Sequence, residues 1–234
     1  MTLIFAHRGL HERERENTLG AFRAARALGV DGVELDVRRS VDGVLVVHHD
    51  ATIAGRAVAS TPAAELPAYV PTLAEALEAS AGVVVNVEIK NLEHSSEPTY
   101  DATGGFARQV VDALRGAPAV LVSGFDLATC RAARAASHEL AVGWLLGRGV
   151  DLDAALRVAA DAGFTALNPH HRGVGASLVA SAHELGLAVN VWTVNRSGDL
   201  ATMLALGVDA IITDEPARAL AMVIRPPRSP SELA

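Results

Sequence analysis

Eight short apolar runs, each followed by a stretch with apolar residues at helical spacing, constrain this chain more than any other feature. The first run is residues 3–6, the second surrounds Glu34 and Asp36, and the rest are 83–90, 120–125, 141–146, 166–169, 188–194 and 210–213. The first helix reads from a cap at Asn17-Thr18 through Leu19, Phe22, Ala25 and Leu28 to Gly29. The others are expected over 72–79, 105–115, 126–136, 151–162, 175–185, 197–206 and 217–223. Strand and helix in strict alternation call for parallel strands joined by helical crossovers, and eight such units predict a (β/α)8 barrel, the TIM-barrel fold of the α/β class. At 234 residues the chain has the length of one such barrel. Residues 1–224 are expected to form a single catalytic domain. The tail 225–234, with three prolines and two serines, reads as disordered.

The stretch 32–50, GVELDVRRSVDGVLVVHHD, adds an antiparallel hairpin strand after the second barrel strand. Side chains alternate along a strand, so Glu34 and Asp36 share one face while Val33, Leu35 and Val37 take the other. Asp42-Gly43 signals a two-residue turn, because tight hairpins need positive φ. A turn centred there sets His49 opposite Asp36 and gathers Glu34, Asp36 and His49 in one cluster. Residues 51–71, with three prolines, read as a loop, and the polar segment 91–105, containing His94 and Tyr100, as a candidate lid or substrate loop.

In such a barrel the carboxyl ends of the strands carry the active site. His7, Glu34, Asp36, Glu88, Lys90, Trp192 and Asp214 all fall at or near those ends. Glu34, Asp36 and Glu88 would repel one another without a cation, and all-oxygen ligands favour one hard divalent ion, Mg²⁺ or Ca²⁺. Lys90 paired with one of the acids is a second, compatible reading. Of the 20 basic residues 19 are arginine, so the one lysine, Lys90, suggests a point charge for a developing negative oxygen. His7 and His49 suit an acid and base pair. His170 or His171 could touch substrate, although a loop histidine is more often merely solvated, and His11, His138 and His183 carry no signal. Trp192 could be core or a wall of the site.

A net charge of −7 argues against nucleic acid as a partner. With no long uncharged apolar run or leader-like start, the expectation is a cytoplasmic protein without a stable membrane anchor. Nothing in the sequence sets an oligomeric state. The single cysteine, Cys130, reads as a small buried residue. The serine-hydrolase elbow, the P-loop and the dinucleotide fingerprint do not occur.

With those residues in place, the chain resembles the glycerophosphodiester phosphodiesterase family. The matching text is AHRG at 6–9, ENTLGAF at 16–22, ELDV at 34–37, DGVLVVHHD at 42–50, NVEIK at 86–90, VWTVN at 191–195 and GVDAIITDEP at 207–216. The resemblance implies that Glu34, Asp36 and Glu88 bind the metal, that His7 and His49 are the catalytic pair, and that Arg8, Lys90 and Trp192 contact substrate. It implies a small-molecule glycerophosphodiester as substrate, cut to sn-glycerol 3-phosphate and an alcohol. Lysophospholipase D-like or cyclising phospholipase activity on the same site, or a non-catalytic barrel binding a phosphorylated ligand, are the other readings. Arg15 before ENT and HDATIAGRAVAS after the second histidine depart from the family pattern and bear on the head group.

Overall fold

A computed structural model of the protein describes residues 1–92 and 100–223; His94 and the 225–234 tail lie outside them. The strands are β1 (Leu3–Ala6), β2 (Gly32–Arg39), β3 (Leu45–Val47), β4 (Thr52–Ile53), β5 (Arg56–Ala57), β6 (Val84–Ile89), β7 (Val120–Gly124), β8 (Ala141–Leu146), β9 (Ala166–Pro169), β10 (Ala188–Val191) and β11 (Ala210–Thr213). The helices are α1 (Leu19–Leu28), α2 (Leu73–Ala79), α3 (Gly105–Ala113), α4 (Leu127–Ala136), α5 (Leu152–Asp161), α6 (Ala176–Glu184), α7 (Ser197–Leu206) and α8 (Pro216–Met222). Eight parallel strands run β1-β2-β6-β7-β8-β9-β10-β11 and close where Phe5 pairs Gly32 on one side and Ala210 and Ile212 neighbour β1 on the other. The expected barrel is what forms, with β3 antiparallel to β2 outside the ring. No described helix is long and apolar enough to cross a membrane.

Alternation along each strand divides the side chains. Leu35, Val37, Val87, Ile89, Val122 and Leu167 point outward into one apolar layer shared with the helices, where Cys130 is also buried. Inside the ring, Phe5, Ala210 and Ile212 form an apolar floor with Val84 and Leu121. Above that floor the interior turns polar, with Glu34, Asp36, Asn86, Glu88, Ser123 and Asn168 all buried. Polar groups in so buried a place cost free energy unless satisfied, which marks this end of the barrel as built for chemistry.

The hairpin forms with a different register. Ser40 N donates to Val44 O at 3.0 Å, and Gly43 N to Ser40 O at 3.0 Å. The loop is therefore the three residues Val41, Asp42 and Gly43, with Gly43 in the left-handed region at φ 80°. Val37 faces Val47, and one step on it is His48, not His49, whose amide reaches Asp36 O at 2.9 Å. An extra turn residue slides the partner strand by one. His49 stands beyond the strand end, fixed there by Arg38, whose Nε donates to the His49 carbonyl at 2.9 Å. The 51–71 stretch is not all loop. It holds the β4–β5 ladder and two short 3-10 turns, Val58–Ser60 and Ala63–Glu65.

Candidate active site

Strand register assembles the acids. Parallel β2 and β6 pair Glu34 with Asn86 and Asp36 with Glu88, so side chains at equal height face inward side by side. Glu34, Asp36 and Glu88 each offer an oxygen, and these lie within 4.8 Å of one another. Lys90 reaches back between two of them, Nζ standing 2.8 Å from Asp36 Oδ1 and 2.5 Å from Glu88 Oε1. Arg8 supplies the second cation, its Nε 3.3 Å from Asp36 Oδ2.

Three carboxylates against two cations leave one excess negative charge. Burial, then the Asp36 and Glu88 charges, pushes Glu34 well above the usual carboxylate range, and burial also raises Glu88. Burial works the same way on Asp36, but Lys90 and Arg8 outweigh it and hold that carboxyl at about 2. Glu34 Oε1 is buried without a hydrogen-bond partner among the described residues. A divalent cation fits this place: it would satisfy the orphan oxygen, neutralise the excess charge, and meet only oxygen donors.

His7 follows β1 directly, one residue past Ala6, which pairs Val33 on one side and Thr213 on the other. It therefore stands level with Glu34 and Asp214. Nδ1 is 2.6 Å from Asp214 Oδ1, and Nε2 is 3.8 Å from Glu34 Oε2. An ionised carboxylate only accepts, so Nδ1 carries the hydrogen and Nε2 is left for the cavity. The same Asp214 oxygen takes His11 Nε2 at 3.2 Å, and Asn195 Nδ2 holds the other at 2.6 Å. Burial would raise Asp214, but hydrogen bonds from His11, His7 and Asn195 hold it far below the usual range. On the opposite side, His49 Nδ1 donates to Asp50 at 2.8 Å, which again leaves Nε2 available.

The turn after β1 is strained where it matters. Arg8 has φ 55°, a conformation costing an L residue roughly 1–2 kcal/mol. Its amide bonds Glu34 Oε2 at 3.1 Å and its guanidinium bonds Glu16 at 3.0 Å, contacts that hold the strained form in place. Gly9 at φ 82° completes the turn, and a Cβ there would sit 2.8 Å from Ala21.

Seven of the eight residues singled out from sequence, His7, Arg8, Glu34, His49, Glu88, Lys90 and Trp192, line one cavity of about 130 Å³. Asp36 is fully buried beneath it. Trp192 forms a wall: its Nε1 donates to Asn168 O at 2.9 Å, and its ring meets Phe125 edge-on at 5.3 Å. A roomier cavity of about 450 Å³, lined in part by Arg38, Arg39 and Phe106, shares only Lys90 with this group and holds neither imidazole.

Four polar partners escaped sequence reasoning. Asp214 was visible only as a strand-end acid, and His11 carried no signal at all. Asn195 lies in a matching motif without any spacing that assigns it. Asn17, expected beside Thr18 as a helix cap, leaves capping to Thr18 and instead donates to Asp36 Oδ2 at 2.7 Å. His170 stands edge-on to Trp192 at 5.3 Å, and His171 is buried.

Residues 7–218 match the model of the glycerophosphoryl diester phosphodiesterase family. The glycerophosphodiester phosphodiesterase of Caldanaerobacter subterraneus is 32% identical over 92% of this chain and 95% of its own length. That of Bacillus altitudinis is 29% identical over 94% and 97%. The crystal structure of a glycerophosphodiester phosphodiesterase from Parabacteroides distasonis superposes with a TM-score of 0.80 at 26% identity, covering 94% of this chain and 96% of that one.

Proposed function

The chain belongs to the glycerophosphoryl diester phosphodiesterase family, and on that premise we propose that it hydrolyses glycerophosphodiesters to sn-glycerol 3-phosphate and an alcohol, using one divalent cation and the pair His7 and His49. The observation that carries the reading is the single cavity with an imidazole on each side, three carboxylates at the bottom and Arg8 and Lys90 between. Held by Glu34, Asp36 and Glu88, a Mg²⁺ or Ca²⁺ ion would supply Lewis-acid charge to a phosphoryl oxygen.

The protein's own groups account for the rest. Lys90 and Arg8 present fixed positive charge where the phosphoryl oxygens gather negative charge in the transition state. Each histidine has Nδ1 anchored on a carboxylate, so each Nε2 is aimed and able to carry a proton in either direction. One takes the proton from the attacking oxygen as its bond to phosphorus forms. The other gives a proton to the alcohol oxygen as its bond to phosphorus breaks. Trp192 offers a flat wall against which the glycerol or head group packs.

The test is release of glycerol 3-phosphate from glycerophosphocholine, glycerophosphoethanolamine and glycerophosphoglycerol with Mg²⁺, with Ca²⁺ and with EDTA. Turnover abolished by EDTA and restored by one ion is expected. No release from any diester under any of these conditions would overturn the reading.

A further inference from the structure

Beside the catalytic cavity, on the side of Trp192, the barrel mouth carries a second one apart from the 450 Å³ cavity, of about 230 Å³ and lined by Gly147, Arg148, Gly149, His170, Arg172 and neighbours. Its two loops follow β8 and β9 directly, so it opens at the same end of the barrel as the catalytic residues. The partition between the cavities is aromatic. The His170 ring meets Trp192 at 5.3 Å, and Trp192 lines the catalytic cavity.

This second cavity is lined by two cations that have no counter-ion among the described residues. Arg8, Arg39, Arg56, Arg115 and Arg218 each pair with a carboxylate. Arg148 and Arg172 are exposed and have no side-chain partner among the described residues, in a chain of net charge −7. The nearest acid in sequence, Asp151, is turned to the start of α5, where it accepts from Ala154 N at 3.0 Å. His170 is held below its usual value by burial and then by the charges of His171, Arg148 and Arg172, so the local field is positive. A Cβ on Gly147 would meet nothing within 4 Å, so this part of the lining is open to a ligand. Guanidinium is the side-chain group best shaped to grip a carboxylate or a phosphate.

We propose that this cavity receives the alcohol portion of the diester when that alcohol carries an anion of its own, a carboxylate or a second phosphate, and that Arg148 and Arg172 select for it. The assignment rests on the phosphodiesterase reading, since it is the substrate's far end that reaches past Trp192. Neither arginine touches the catalytic groups, so their removal acts on selection and not on the bond-breaking step.

The experiment compares kcat/KM for glycerophosphoserine and bis(glycerophospho)glycerol with that for glycerophosphocholine, in the wild type and in the double variant Arg148→Gln/Arg172→Gln. The wild type should favour the two anionic compounds, and the preference should shrink as salt is raised. In the variant it should fall about fivefold through KM, the choline diester being unaffected. A variant that keeps the wild-type ratio overturns the proposal. If the wild type releases glycerol 3-phosphate from nothing, the phosphodiesterase reading has failed, and calorimetric binding of bis(glycerophospho)glycerol decides this one separately. Binding weakened by the double substitution sustains it; equal binding, or none to the wild type, ends it.

Discussion

At the scale of single residues, one nitrogen of each imidazole is anchored on a carboxylate and the other is left free, as the proposed proton transfers require. His7 makes the case most clearly, because Asp214 takes its Nδ1 at 2.6 Å and is itself fixed by Asn195 at 2.6 Å. His49→Ala should lower kcat by roughly 10² to 10⁴ with the fold intact, the usual loss for a general acid or base. Full activity in that variant, measured on whichever diester the wild type prefers, would remove His49 from the mechanism. Asp214→Asn keeps the shape but exchanges an acceptor for an amide, so His7 loses the partner that fixes its tautomer. A fall of about 10- to 100-fold is expected, carried by kcat more than KM, together with a shifted pH–rate profile. A profile identical to the wild type would reduce Asp214 to a structural residue.

Elements carry these residues to their places, and the capping of α3 is a case where the chemistry can be read by pH. Asp101 accepts from Phe106 N at 2.8 Å and Thr103 N at 2.9 Å, and its Oδ2 lies 3.3 Å from Arg39 on β2. Hydrogen bonds, the Thr103 hydroxyl foremost, hold its carboxyl at about 2 against the opposing pull of burial. A carboxyl lowered on folding stabilises the folded state above its unfolded value of about 3.9 and loses that contribution as pH falls towards 2. Asp101→Ala should therefore cost about 1 kcal/mol at pH 7 and progressively less below pH 4 in denaturant titrations. An equal cost at both pH values would contradict the linkage. The elements themselves were legible in the sequence because hydrophobic periodicity is local: the eight barrel strands and their helices fall within a few residues of expectation. Register was not, since whether Val41 or Ser40 faces Val44 depends on backbone conformation that an Asp-Gly pair leaves open. Glu34, Asp36, Glu88 and Lys90 were legible as alternating residues on strands. Asn17 and His11 were not, because they come from loops that meet only when the barrel closes, and Asp214 was legible as a strand-end acid but not as the partner of His7.

For the whole molecule, the carboxylate cluster is a place where the barrel gives up stability. Glu34, Asp36 and Glu88 sit on β2 and β6, two strands inside one closed ring, so strain between them bears on the ring as a unit. The cluster holds three acids to two cations, and Glu34 Oε1 is buried with no partner among the described residues. A cation that binds only the folded barrel adds stability by mass action, about 2.7 kcal/mol at a hundred times its Kd. For a chain of this size that corresponds to a rise in Tm of roughly 5–10 °C. Glu34→Gln keeps the volume and removes the excess charge, so two effects of opposite sign are expected. Without divalent ions the variant should melt higher than the wild type, because buried like charges no longer repel. On addition of Mg²⁺ or Ca²⁺ the wild type should gain stability while the variant gains little, and hydrolysis by the variant should be lost. Differential scanning calorimetry with EDTA and with each ion reads both effects at once. A variant that melts lower than the wild type in EDTA yet responds to the ion to the same extent would show that the cluster is neither strained nor the place where the cation binds.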